Sequence, residues 1–181
     1  MDFITAPRIR TIPYLLLVLC PFVSSPASAQ TAPWTTPIRG SWVQTGPTAQ
    51  GDIVLAAQDS TSQIVVGDDE NAAVRQAAEF LASDIEKISG HRPQIVKTPG
   101  DRVNIRLVTL GHGEVPAAVD TRAMQGQWES YRIVTAGRDV WLVGSNPRGT
   151  AFAAYTLSER LGIDPLYIWT GSRPSIATRW C

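Results

Sequence analysis

The turn Gly144-Ser-Asn-Pro-Arg-Gly149 offers the best-placed reactive groups in this chain. Arg148 carries a planar guanidinium that matches a carboxylate in bidentate geometry. Asn146 sets an amide beside it. The turn lies between an apolar run, Val140-Trp-Leu-Val143, and a segment with helical character. Backbone N–H groups at that helix start would face a bound anion. Gly144 and Gly149 permit close backbone approach, and Pro147 fixes the turn. The pattern lacks the Lys-Ser/Thr ending of a P-loop and the glycine spacing of a dinucleotide turn. The plainer alternative is a structural turn in which Arg148 pairs with a nearby acid, since strand-to-helix turns of this composition are common.

Other reactive types are sparse. Asp68, Asp69 and Glu70 form the acidic cluster of the chain. Carboxylate pairs hydrolyse glycosides when they face each other across a cleft. These three are consecutive and precede a helix, where Asp68 and Asp69 are expected to cap its N-terminus and meet the favourable end of its dipole. The two histidines, His91 and His112, have no Cys, His or carboxylate at ligand spacing, so no metal and no cofactor is expected. No Gly-x-Ser-x-Gly elbow occurs. Trp34 and Trp42 sit in a stretch rich in Pro, Thr, Gly and Gln. They are able to stack on sugar rings, but the favoured reading is that they pin an extended arm to a domain surface.

The elements that must position these groups follow an α/β pattern. Residues 53–57 and 63–67 are candidate strands, the second rich in β-branched residues and stopped by Gly67. Val74, Ala77, Ala78, Leu81, Ile85 and Ile88 recur at helical spacing, with Arg75, Gln76, Glu79, Glu86 and Lys87 opposite. Gly90 is the expected C-terminal cap. Residues 93–97 read as a short strand opened by a proline, suited to an edge, and residues 104–111 as a fuller one. Residues 114–127 have no strong period and are expected to be irregular or briefly helical. Residues 128–135 alternate, turn at 136–139, and return through 140–144 as a hairpin. The last helix spans about 148–161, with Phe152, Tyr155 and Leu161 as its apolar stripe, Gly162 as cap and Pro165 as stop. The expected fold is α/β, one mixed sheet with packed helices.

Composition narrows the function. Sixteen basic and sixteen acidic side chains balance over 181 residues, with no run of either sign, so nothing points to nucleic acid or an anionic membrane surface. Arg8 and Arg10 precede a short apolar core at 12–23 that contains Pro13 and Pro21, and Ala27-Ser-Ala29 follows. This is the pattern of a signal peptide cleaved between Ala29 and Gln30, and the core falls short of the roughly 20 apolar residues of a stable membrane span. A secreted or periplasmic destination follows. Cys20 is no lipid-attachment site, because Leu19 stands where a small residue belongs. It leaves with the signal, so Cys181 has no partner and the mature fold must rest on its core. The divisions are a signal peptide (1–29), a Pro/Thr/Gly-rich arm (30–51), an α/β domain (52–171) and an aberrant or truncated tail (172–181).

Three motifs carry a family resemblance: Val143-Gly-Ser-Asn-Pro-Arg-Gly-Thr150, Tyr155-Thr-Leu-Ser-Glu159, and Gly162-Ile-Asp-Pro-Leu-Tyr-Ile-Trp169. With Glu129-Ser-Tyr-Arg-Ile-Val134, Ile64-Val-Val-Gly-Asp68 and the Val74–Gly90 helix, they resemble the N-terminal domain of glycoside hydrolase family 115, whose characterised members are xylan α-1,2-glucuronidases. The resemblance runs from about Gly51 to Gly171. It implies a non-catalytic α/β domain, like those that precede barrels in α-glucuronidases and hexosaminidases, with the catalytic carboxylates in a barrel that this chain lacks. No catalytic residue is therefore assigned. The resemblance implies that Asn146 and Arg148 bind substrate or face the domain junction, and that the partners are xylan or a glucuronic acid-containing oligosaccharide and the missing barrel. The alternatives are a free-standing carbohydrate-binding or interaction module, and a non-functional gene fragment.

Overall fold

The computed structural model describes Val43, residues 46–57 and 60–164, and the backbone of Arg179 and Trp180. Ala29, Gln30, Trp34, Trp42, Pro165 and the exit motif beyond Asp164 lie outside the described residues. The chain divides into two units, Met1–Ile38 and Arg39–Cys181, and the description below concerns the second.

The chain enters through two short strands, β1 (Ala56–Ala57) and β2 (Ser60–Thr61). The run 53–57 was expected to be strand throughout, but only its last two residues pair. A minimal antiparallel ribbon results, joined on the other side of β1 by β8 (Arg179–Trp180). The main sheet starts with β3 (Gln63–Val66) and continues through α1 (Ala72–Ser89), β4 (Gln94–Val96), β5 (Asn104–Thr109), β6 (Tyr131–Ala136), β7 (Asp139–Gly144) and α2 (Pro147–Arg160). Its order is β4-β3-β5-β7-β6. Four strands run parallel, and β6 pairs antiparallel with β7 at one edge. The sheet is mixed and the helices pack on it, as the sequence pattern predicts.

Both helices lie on one face. Ile64, Val66, Ile105, Leu107, Val140 and Leu142 meet the α1 residues Val74, Ala77, Ala78, Leu81, Ile85 and Ile88 in one core, the face that the periodicity assigns. Gly90 closes α1 at φ 78°, a left-handed conformation that costs glycine little. The second face is covered over β5, β7 and β6 by the connection between β5 and β6. Val119 and Met124 of that connection pack on Trp141 and Val143, and its one regular piece is a 3₁₀ turn at Arg122–Met124. Covered on both sides, β7 is buried along its whole length, which explains the continuous apolar run from Val140 to Val143.

Two further sequence readings need correction. The N-cap of α1 is Asn71, whose side chain accepts from the Ala73 N–H at 2.9 Å, and not Asp68 or Asp69. A turn closed from Glu70 N to Gly67 O carries those aspartates past the helix end, and Asp68 instead pairs with Lys97 at 2.6 Å. In α2 the buried positions include Ala151, Ala153, Ala154, Leu157 and, just beyond, Leu161, while Phe152 and Tyr155 are exposed. Small residues face inward because α2 lies close against the sheet and has no room for rings.

Candidate functional site

The turn between β7 and α2 is built by its own side chains. Asn146 is extended at φ −151° and its Oδ1 accepts from the Gly149 N–H at 2.8 Å. It is therefore the N-cap of α2, with Pro147 in the favoured first helical position. The Thr150 N–H is taken by the Asn146 carbonyl at 3.0 Å. The first of these bonds uses a backbone donor at the helix start that an anion would otherwise meet, and the second is the first regular bond of the helix. Arg148 sits 2.9 Å from Glu129 Oε1 and 5.9 Å from the Phe152 ring centroid. The contact with Glu129 is an ion pair without hydrogen-bond alignment, because Oε1 is buried with no hydrogen-bonded partner. Glu129 adopts φ 54°, and this local bend just before β6 turns its carboxylate toward the α2 turn.

Asn146 and Arg148 thus share the turn, as their spacing requires, but the turn occupies both in its own structure. Arg148 remains 64% exposed and is able to bind a second acceptor. Sequence reasoning allowed for a nearby acid but did not name Glu129, which lies nineteen positions away, in the run Glu129–Val134 that shares in the resemblance.

Open parallel sheets take ligands at the carboxyl ends of strands where the order reverses. Here that point lies between β3 and β5, and Glu70 fills it. Glu70 is 4% exposed. Its carboxylate accepts from the Thr109 N–H at 2.6 Å and the Thr109 hydroxyl at 2.9 Å. The Thr109 hydroxyl gives its one proton to Glu70, so Thr150 donates to Thr109 across 2.9 Å. This chain of bonds ties β5 and the first turn of α2 to the loop before α1. The Glu70 carbonyl also accepts from Arg75. The acidic cluster is therefore dispersed: Asp68 pairs outward, the Asp69 carbonyl meets His112 Nδ1 at 2.8 Å, and Glu70 points inward.

A second polar cluster joins the start of β5 to that of β7. Asp139 accepts from Asn104 Nδ2 at 2.9 Å and from Arg106 Nε at 2.7 Å, and Arg106 lies 4.6 Å from the Trp141 ring centroid. Burial pushes the Asp139 carboxyl up. The hydrogen bonds from Asn104 and Arg106, with the Arg106 charge, outweigh it and hold the group below the usual carboxylate range. Each member is partnered, so the cluster locks strand register. Among the described residues no group of His, Cys, Asp and Glu is arranged to hold a metal ion, and no helix is long and apolar enough to cross a membrane.

Fold and site together define an α/β domain on a mixed sheet, with its crevice closed by its own glutamate. No protein-family model matches the chain. No curated protein matches it. Among solved structures it is similar to a family 115 4-O-methyl-α-glucuronidase with specificity for decorated arabinogalactans, at TM-score 0.62 and 20% identity, over 71% of this chain and 17% of that one. A family 138 enzyme targeting pectin rhamnogalacturonan II aligns at TM-score 0.37 and 15% identity, over 55% and 13%. The chain therefore spans less than a fifth of these glycoside hydrolases, and the first likeness is one of fold.

Proposed function

We propose that this chain is an exported accessory domain of an α-glucuronidase-like glycoside hydrolase that acts on glucuronoxylan side chains, and that it is inactive alone. The observation that carries the reading is the fold shared with part of a family 115 glycoside hydrolase. The site chemistry supports it. Glycoside hydrolysis calls for two carboxylates facing each other across the scissile bond. Two carboxylates linked to the turn and its helix are engaged and do not face each other as a pair, Glu70 with Thr109 and Glu129 with Arg148. In this reading Asn146 and Arg148 face the domain junction, where the exposed part of the guanidinium meets either the uronate or the neighbouring domain.

The test is incubation of the purified mature chain with glucuronoxylan and measurement of released glucuronic acid. None is expected. Release that is abolished by a substitution within this chain would overturn the reading.

A further inference from the structure

The exposed positions of α2 are Arg148, Phe152, Tyr155 and Glu159. They follow one another at spacings of four, three and four, the narrow seam along which one helix packs on another. A solvated helix face ordinarily carries polar and charged residues throughout. This one carries two rings in its middle, 37% and 43% exposed, and opposite charges at its ends. Phe80 of α1 stands beside it, 50% exposed, with its ring centroid 6.5 Å from that of Tyr155. Scattered apolar residues on a surface need no explanation, but three rings gathered on adjoining helices form a patch.

The two charges stand at the wrong ends for α2 itself. The N-terminal end of a helix favours an acid and the C-terminal end a base. Arg148 lies in the first turn, which holds no acid, and Glu159 lies in the last. The seam is self-complementary instead. Arg148 and Glu159 are equally far along the chain from the midpoint between Phe152 and Tyr155. A two-fold axis through that midpoint, across the helix, lays α2 antiparallel on α2 of a second copy. Arg148 then meets Glu159 of that copy and Phe152 meets its Tyr155. Each contact is returned, as an isologous interface requires. Each charge also comes over the end of the opposing helix whose dipole suits it. The same operation brings α1 against α1, so Phe80 joins the apolar centre. Rings at the centre and charges at the rim are the distribution of a protein interface. Arg148 keeps its contact with Glu129 and, at 64% exposure, has donors left for the second acceptor.

We propose that the outward seam of α2, with Phe80 of α1, is a homodimer interface on which two copies of this chain pack antiparallel. The 14 residues of α2 span about 20 Å, and two helices about 10 Å apart make a face of about 400 Å² per copy. That is below the roughly 800 Å² per partner of a stable complex, so the dimer is weak, with a dissociation constant on the order of 100 μM. The proposal does not rest on the accessory-domain reading. That reading places a neighbouring domain at the Arg148 end of α2, and such a domain would compete with the second copy for this guanidinium. The test is sedimentation equilibrium of the isotope-labelled mature chain from about 10 μM to about 1 mM, with amide chemical shifts followed over the same range. A monomer–dimer equilibrium is expected, with shifts gathered along the seam and around Phe80. Tyr155→Ser occurs twice in the dimer. At about tenfold per ring it should weaken association about a hundredfold and leave the chain monomeric. Glu159→Lys sets like charges together at both ends and should weaken association about tenfold. Arg148→Glu should do the same, and mixing these two charge variants should restore association, because only the mixed pair sets opposite charges together at both ends.

A chain that stays monomeric at about 1 mM overturns the proposal, as does association that is unchanged in both Tyr155→Ser and Glu159→Lys. Should repulsion from Glu129 unfold the Arg148→Glu chain, those two variants still decide. Folded charge variants that fail to associate when mixed overturn the antiparallel arrangement. Seam shifts caused by xylohexaose in a chain that remains monomeric would make the surface a sugar-binding face instead. The accessory-domain reading is judged separately by glucuronate release, so the two failures are distinguishable.

Discussion

Gly144→Ala is expected to be among the most damaging small substitutions in this domain. Gly144 ends β7, pairs with Thr109 and Tyr131, and accepts from the Leu110 N–H at 2.9 Å. A Cβ there would stand 2.7 Å from the Gly149 carbonyl carbon, and nearer still to the nitrogen and hydroxyl of Thr150. Carbon atoms in good contact are about 3.5 Å apart, so the overlap with Gly149 alone is roughly 0.8 Å. The opposing atoms are backbone in the first turn of α2 and cannot swing away. Overpacking of this kind costs about 1–3 kcal/mol, and displacing α2 from its Asn146 cap adds about 1 kcal/mol. A total near 3 kcal/mol lowers the melting temperature of a domain this size by about 10–15 °C. Gly67→Ala is the control, because a Cβ at Gly67 meets nothing within 4 Å, and its effect should stay within about 1 kcal/mol. Both variants are read by thermal melts and urea titration. A Gly144→Ala chain that melts within about 2 °C of the parent would refute the claim that this close approach fixes the β7–α2 junction.

Asn146→Ala should cost about 1 kcal/mol in a urea titration through loss of the cap, and Arg148→Ala, which leaves the buried Glu129 Oε1 without its counter-charge, should cost about 1–2 kcal/mol. In a full-length relative, a raised Michaelis constant for a uronic acid substrate would support the junction role of Arg148; a fall in melting temperature alone would remove it. Asp139 has a folded carboxyl pKa below the unfolded value of about 3.9, so the folded state holds fewer protons between the two values. Its contribution is present above the unfolded value and is lost as pH falls through the folded one. Asp139→Asn should flatten the acid limb of a stability–pH profile, and an unchanged slope would show that Asp139 is not a source of it.

What was legible in the sequence was what repeats locally. The inward face of α1 follows from six apolar positions at helical spacing, and all six are buried. The β6–β7 hairpin follows from alternation around a two-residue turn. The inward face of α2 was misread because size was taken for burial: Phe152 and Tyr155 are the larger residues, but Ala153 and Ala154 are the ones that fit against the sheet. Glu70 looked like a helix-start acid because its true partner, Thr109, is 39 residues away, and no local pattern marks such a contact. The same holds for Glu129 and Arg148. The order of the strands was equally hidden, since each pairing beyond the hairpin joins segments that are remote in sequence.

That order has a kinetic consequence. The central strand β5 has no neighbour close in sequence: it pairs with β3 about forty residues before it and with β7 about thirty-five residues after it, and each loop closure must be met before pairing rewards it. The segments β3-α1-β4 and β6-β7-α2 are each contiguous and can form early. Arrival of β5 then commits the two halves to one sheet. Until it arrives, β3 and β7 both present unpaired edges rich in valine and isoleucine or leucine, the kind of template on which a second chain adds a strand. In the folded domain the terminal strands are β4, only three residues long, and β6. The period of greatest exposure to aggregation therefore falls before β5 docks, and its location is the middle of the sheet.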